Sequence, residues 1–153
     1  MRGGFVKTAL RGLLLAAMSV PALASAGLDV EGYARETLPG ASMSAAYLTL
    51  RNTGNSARSL QRLELPLHGG ARVQIHSTVT EGGISRMRPL AALELPPGGE
   101  ITMAPGGIHL MLSGAELRAG RKVQLRLYFA DGEVLEVGLP VRAITDGVHH
   151  DHG

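Results

Sequence analysis

The sequence predicts an all-β domain of the sandwich or barrel class. Short runs with an apolar residue at every second position dominate the chain, and Gly, Pro, Asn and Asp separate them. The sequence contains no heptads and no convincing amphipathic helix. Several short strands at regular spacing, with turn residues between them, are typical of β-sandwiches and β-barrels.

The N-terminus has the composition of a secretory signal peptide. Three basic residues precede the short apolar run Leu13–Val20, and an A-x-A site ends at Ala26. We expect residues 1–26 to be removed by cleavage after Ala26, with cleavage after Ala24 as the alternative. The apolar run is too short for a transmembrane helix and no later run is long enough, so we expect export and no membrane span.

Loss of this segment changes the charge balance of the chain. Three of the fifteen Lys and Arg residues lie in it and none of the thirteen Asp and Glu residues, so the mature chain carries a net charge of −1. No basic stripe remains to indicate nucleic-acid binding, and no polybasic run indicates anionic lipid. The remainder suits one apolar-core domain, residues 27–146, followed by a flexible tail, residues 147–153.

The sequence contains no cysteine. An exported chain without cysteine has no disulfide framework. It also has no thiolate metal site, which excludes a blue-copper centre because such a centre requires a cysteine ligand.

Eight strands account for the alternating runs. In chain order they are Leu28–Tyr33, Ala45–Asn52, Arg58–Leu65, Ala71–Thr78, Glu100–Ala104, Ile108–Ser113, Lys122–Ala130 and Glu133–Val141. The last two form the clearest pair, because apolar residues alternate on both sides of Asp131-Gly132, a dipeptide typical of tight hairpin turns. Turn sequences such as LPPGGE and MAPGG separate other strands.

Two of these strands place a histidine on the face opposite the core. Side chains alternate along a strand, so the inward apolar residues of ARVQIHSTV leave His76 on the outer face. In GGIHLMLSG the core positions are taken by Ile and Leu, so His109 and Met111 share the outer face. On their own, His109 and Met111 would indicate only an edge strand with two surface residues.

A further methionine lies in a polar context. Met87 stands between Arg86 and Arg88 in GGISRMRPL, which indicates a loop or a sheet edge rather than the core. A loop methionine commonly covers a nearby core edge. Met87 therefore becomes a candidate ligand only in combination with the histidines and Met111.

The four residues His76, Met87, His109 and Met111 form a coherent donor set. Thioether sulfur is a soft ligand and imidazole a borderline one, and without thiolate or carboxylate they select Cu(I) over Zn, Mg or Ca. Both ligand types are neutral, so a bound Cu(I) keeps its unit charge and the reduced ion is favoured. An exposed site without thiolates suits transfer of the ion to a partner rather than permanent storage.

The spacing of these residues also resembles that of a known family. H-x10-M-x21-H-x-M, with MRPL, PGGIHLML and the early segment AAYLTLRN, closely resembles the periplasmic copper chaperones called PCu(A)C. The resemblance covers nearly the whole mature chain. It implies a cupredoxin-like Greek-key β-barrel that binds one Cu(I) per chain through His76, Met87, His109 and Met111.

The same resemblance implies partners and a location. Family members are periplasmic metallochaperones that deliver copper for assembly of the binuclear copper centre of cytochrome c oxidase, often alongside a Sco-type thiol protein. We expect this chain to act in the periplasm as a monomer. General copper resistance or storage stays an alternative to oxidase assembly.

The other His and Met residues of the mature domain are weaker candidates. Met103 alternates with Ile101 and is predicted to pack in the core. Met43 has no histidine near it in sequence, and His68 lies in the turn sequence PLHGG. We leave these residues out of the donor set.

The C-terminal tail contains three further histidines, His149, His150 and His152. One interpretation is a solvated end without a function. The alternative is an auxiliary Cu(II) site, because imidazoles at this density bind divalent metals readily and Cu²⁺ leads the divalent affinity order.

Two other function classes compete with a metal carrier. A copper-dependent enzyme would need a substrate pocket or a catalytic base, and the sequence has no clustered carboxylates and no supported Ser–His–Asp arrangement, so we expect no enzymatic activity. A structural or adhesive β-sandwich without metal would leave the spacing of the four donors as coincidence.

Overall fold

The computed structural model describes residues 27–144. Their regular structure consists of ten strands: β1 (Leu28–Arg35), β2 (Met43–Asn52), β3 (Arg58–Glu64), β4 (Arg72–Glu81), β5 (Ile84–Leu90), β6 (Leu93–Leu95), β7 (Glu100–Thr102), β8 (Ile108–Ser113), β9 (Lys122–Phe129) and β10 (Val134–Arg142). The predicted signal peptide, residues 1–26, and the predicted tail, residues 147–153, lie outside the described residues.

The strands form one sheet in the order β5-β4-β8-β2-β1-β10-β9-β3-β6, and β7 also pairs with β2. Every neighbouring pair is antiparallel except β1 and β10, which run parallel. That parallel pairing joins only Ala34 to Val141 and Arg35 to Arg142. The sheet therefore consists of two antiparallel halves that meet at a short parallel seam.

A single aliphatic core holds the two halves together. Leu48 and Leu110 come from one half and Leu125 and Leu127 from the other, and all four belong to the same buried cluster. Burial alternates along the strands, as it does from Lys122 to Phe129, because one side of each strand faces this cluster. The two halves thus pack over a common core, and the predicted all-β, cupredoxin-like Greek-key fold is confirmed.

The predicted hairpin between β9 and β10 is present. Gly132 has a φ of 86°, which glycine adopts at no steric cost. The Gly132 N–H donates to the Phe129 carbonyl over 3.0 Å, and Val134 then pairs with Tyr128. This turn fixes the register of the last two strands.

Two short strands were not among the eight predicted from sequence. β5 occupies the segment around Met87 and is an edge strand, and β6 is three residues long at the other edge. Edge position also explains Pro89 within β5, since proline has no N–H to donate to a neighbouring strand and an edge strand has no neighbour on its outer side. The alternative of a sheet edge for Met87 is therefore confirmed.

Residues 27–144 include no helix that is long and apolar enough to cross a bilayer.

Candidate metal site

Strand pairing brings the two histidines together. β4 and β8 are antiparallel neighbours in which His76 lies directly opposite His109. Their ring centroids are 5.9 Å apart and the ring planes are inclined by 57°. Met111 lies two residues after His109 on the same strand, so its side chain leaves the sheet on the same side.

The register of β5 adds Met87 to this face. Met87 lies opposite Thr78, and Thr78 lies two residues after His76 on β4. Residues directly opposite each other in an antiparallel ladder share a face, and so do residues two apart on one strand. All four predicted donors therefore lie on the same face of three adjacent strands, away from the aliphatic core.

A cavity of about 350 Å³ opens over this face. Met87, His109 and Met111 are among its lining residues, and Tyr47 and Met43 of β2 line it as well. His76 is not a lining residue but is half-buried beside His109. The structure thus brings three of the four predicted donors to one cavity and holds the fourth next to it.

The hydrogen bonds of His109 leave one ring nitrogen for a ligand. Its Nδ1 lies 3.0 Å from the carbonyl oxygen of Gly107. A carbonyl can only accept, so in the neutral ring Nδ1 carries the proton and Nε2 carries the free lone pair. A backbone carbonyl on the second nitrogen is the usual arrangement that orients a metal-binding imidazole.

His76 carries a buried nitrogen without a partner. Its Nδ1 is shielded from solvent and has no hydrogen-bond partner within the described part of the chain. An unpaired buried polar atom costs about 1–3 kcal/mol. A metal ion would satisfy such an atom, so its lone pair fits the chemistry of a ligand.

The exposure of the donors differs from the sequence-based expectation. Met87 is 59% exposed, as expected for an edge strand, but His109 is only 7% exposed. The outer-face assignment of His109 is right, whereas its expected exposure is wrong. The reason is that β8 lies between β4 and β2, whose side chains border it on both sides.

The donors are neutral and soft, and the surroundings add few charges. Arg35 and Glu36 are the two charged residues among those that line the cavity. Burial raises the pKa of the Tyr47 phenol, which stays protonated at neutral pH. Residues 27–144 hold no group of three or more His, Cys, Asp or Glu that could bind a metal.

Met43, which the sequence analysis leaves out of the donor set, lies at the same cavity. It is 51% exposed. The alternation of β2 contains the signal, because Met43 and Ala45 share a face and Ala45 lies opposite Met111. Finding it required the pairing of β2 with β8, which the sequence does not display.

Two of the remaining predictions for single residues are confirmed. Met103 is buried in the core, as predicted. His68 lies in a turn, as predicted, where its N–H donates to the Leu65 carbonyl. The tail histidines His149, His150 and His152 lie outside the described residues.

Comparison with known proteins places the chain in a family. Residues 30–141 match the family described as "Putative lipoprotein LpqE-like". The chain belongs to the LpqE-like family. A relative from Leifsonia xyli subsp. xyli (strain CTCB07), "Putative lipoprotein Lxx21020", is 32% identical to this LpqE-like protein over 150 residues, which cover 93% of the chain and 89% of the relative.

Solved structures are similar to this LpqE-like chain over most of its length. Cu(I)-bound DR1885 from Deinococcus radiodurans is 27% identical with a TM-score of 0.59, covering 82% of this chain and 81% of that one. The copper-bound PCuAC domain from PmoF2 has a TM-score of 0.62 at 22% identity, covering 76% and 93%, and shares the fold. Together with the family match, these similarities confirm the resemblance to PCu(A)C proteins.

Proposed function

We propose that this protein is a copper chaperone that binds one Cu(I) ion per chain through His76, Met87, His109 and Met111. The observation that carries the proposal is the common face of these four residues, two of which lie directly opposite each other in the β4–β8 ladder. The copper-bound structures of related proteins support the choice of metal.

The donor chemistry supports Cu(I) over other ions. Two imidazoles and two thioethers are neutral and soft to borderline, and this set favours Cu(I) over ions that prefer oxygen. The unpaired Nδ1 of His76 and the free Nε2 of His109 both have lone pairs to offer. Because the ligands carry no charge, the bound ion keeps a charge of +1, and oxidation to Cu(II) is disfavoured.

Unequal exposure of the donors suits a protein that releases its cargo. His109 lies in the middle of the sheet and is nearly buried, whereas Met87 lies on the edge strand and is more than half exposed. A recipient protein can approach the ion from the Met87 side. The ion is then transferred as donors of the recipient replace one thioether at a time, while the imidazoles still hold the ion.

We further propose export to the periplasm and delivery of copper to cytochrome c oxidase. The basic and apolar N-terminal segment ending at Ala26 supports export, and the lipoprotein description of the relative is consistent with it. The recipient would be the subunit that carries the binuclear copper centre, reached directly or through a Sco-type thiol protein. We expect the chaperone to act as a monomer.

The tail histidines are proposed as an auxiliary Cu(II) site. Ile144 lines the cavity, and its N–H donates to a Glu36 carboxylate oxygen over 3.1 Å. His149 follows five residues later, and a fully extended chain of that length spans about 17 Å. His149, His150 and His152 are therefore within reach of the main site.

Anaerobic titration of the mature protein with Cu(I), in competition with a chromophoric chelator, tests the main proposal. We expect one tight equivalent in the wild type and its loss in the double variant Met87→Ala/Met111→Ala. Leu38→Ala is the matched control, because Leu38 also lines the cavity and is half exposed but has no sulfur. Absence of binding in the wild type would favour a structural β-sandwich, and reductant turnover with oxygen would favour an enzyme.

A second experiment separates delivery from storage. Copper-loaded protein is mixed with the apo form of the soluble copper domain of an oxidase subunit, and copper is followed on both after separation. We expect transfer within the time of mixing. Retention of copper on the chaperone in the presence of excess acceptor would favour the storage alternative.

A further inference from the structure

Three thioethers, not two, face the proposed copper site. Met43, Met87 and Met111 all line the cavity that also contains the His109 ring. The fourth methionine of the described chain, Met103, is buried in the core. Met43 has no role in the four-ligand set, and packing does not account for it, because half of its side chain is exposed.

The register places Met43 on the opposite side of β8 from Met87. Met43 lies opposite Ser113, and Met111 is two residues from Ser113 on β8. Met43 and Met111 are therefore diagonal neighbours on one face, about 7–8 Å apart with their Cβ atoms somewhat closer, a distance that two long side chains bridge. Met87 approaches the same cavity from β5, beyond β4.

This arrangement provides two overlapping donor sets. His109 and Met111 lie in the middle of the row, Met87 lies on one side, and Met43 lies on the other. β5 and β2 are three strand spacings apart, which is about 14 Å. Met87 is level with the start of β8 and Met43 is level with its end, about six residues or about 20 Å along the strand, so one ion cannot bond to both outer sulfurs with the strands in place. An ion bound to the central pair can, however, take its further sulfur from either side.

We propose that Met43 is a further Cu(I) donor that takes the place of Met87 when Met87 releases the ion. The inference rests on the proposed copper-binding function. In the exchange, a bond from copper to the Met43 sulfur forms as the bond to the Met87 sulfur breaks, and copper stays Cu(I) throughout. The number of protein ligands on the ion thus stays the same while the exposed edge of the site is open to a recipient.

A double-mutant cycle tests this role. Cu(I) affinity is measured by chelator competition for the wild type and for Met43→Leu, Met87→Leu and the double variant, since leucine keeps the bulk of methionine and removes the sulfur. We expect Met43→Leu alone to change the affinity by less than about threefold. In the Met87→Leu background we expect Met43→Leu to lower the Cu(I) affinity by a factor about ten times larger than the factor seen in the wild type.

X-ray absorption at the copper edge gives an independent readout. In Met87→Leu we expect two sulfur ligands, from Met111 and Met43, and in the double variant only one. Leu38→Met serves as the control, because it adds a thioether to the same cavity on the loop before β2 and is expected to leave the sulfur count of Met87→Leu unchanged.

The outcomes distinguish this inference from the proposed function. Strictly multiplicative effects of the two substitutions on affinity, or one sulfur ligand in Met87→Leu, would overturn the role of Met43 while copper binding by the wild type stands. A wild type that binds no Cu(I) would overturn both.

Discussion

His76 and His109 lie directly opposite each other across the β4–β8 ladder, with their ring centroids 5.9 Å apart. Backbone pairing, not a loop, sets this separation, so both rings are positioned before any ion binds. The Gly107 carbonyl orients one ring, and the other ring has a buried nitrogen without a partner. The fold therefore maintains a partly unsatisfied pair of imidazoles in the absence of metal.

Replacing His76 by leucine should stabilise the metal-free protein. The substitution removes a buried nitrogen that has no hydrogen-bond partner in the described chain, which favours folding by about 1 kcal/mol. We expect a higher free energy of unfolding in denaturant with a chelator present, together with weaker Cu(I) binding. His68→Leu is the control, because His68 lies in a turn and is partly buried, but among the described residues its ring has no buried nitrogen that lacks a partner. A less stable His76→Leu protein would show that the nitrogen is satisfied in the native state.

Copper affinity should fall as the solution is acidified. Only the neutral ring offers a lone pair, so protons compete with the ion for His76 and His109. We expect Cu(I) affinity to be lower in mild acid than at neutral pH, measured by competition with a chelator of known proton affinity. An affinity that stays constant over this range would argue against both imidazoles as ligands.

Mild oxidation with peroxide should affect copper binding before the fold. Met87 is 59% exposed and Met103 only 4%, so their sulfurs should oxidise at very different rates. A sulfoxide presents oxygen instead of soft sulfur, so we expect weaker Cu(I) binding once mass spectrometry of peptides shows oxidised Met87. The circular dichroism spectrum should stay unchanged. Full affinity after complete oxidation of Met87 and Met111 would contradict the donor assignment.

The stability of the domain should depend on Glu64 at neutral pH. The Tyr128 hydroxyl donates to its carboxylate, and Arg62 and Arg126 pair with it, so the pKa of Glu64 lies below its usual range although burial opposes this. A lowered folded-state pKa gives stability that is present above the unfolded-state pKa and is lost as pH falls through the folded-state pKa.

We therefore expect Glu64→Gln to unfold more easily than the wild type at neutral pH, with a difference that shrinks below about pH 4.3. Denaturant titrations at several pH values measure this. Glu116→Gln is the control, because within residues 27–144 the ion pair of Glu116 is with Arg118, two residues away at the surface. A difference that persists unchanged in acid would mean that the carboxylate charge is not the cause.

Sequence periodicity predicts the strand bounds correctly where one side of a strand is buried and the other is not. The runs from Lys122 to Phe129 and from Ile108 to Ser113 have the predicted bounds or lie within a residue of them. β5 escaped prediction because six of its seven residues are exposed, so no alternation shows in its sequence. β6 escaped because three residues are too few for a periodic signal.

At the site, too, features set within one strand are predictable from sequence, and features set by pairing between strands are not. Alternation alone assigned His76, His109 and Met111 to the outer face, and spacing added Met87. The near-burial of His109 depends on the strands that flank β8, and the position of Met43 depends on the pairing of β2 with β8. The periodicity of a single strand does not predict which strands pair with it.

A crystal structure of the Cu(I)-loaded protein, with anomalous data collected on both sides of the copper absorption edge, tests the donor set most directly. We expect one copper peak in the cavity within about 2.5 Å of a ring nitrogen of His76 and of His109 and of the sulfurs of Met87 and Met111. A peak away from this face, or donor atoms too far apart to reach one ion, would contradict the assignment.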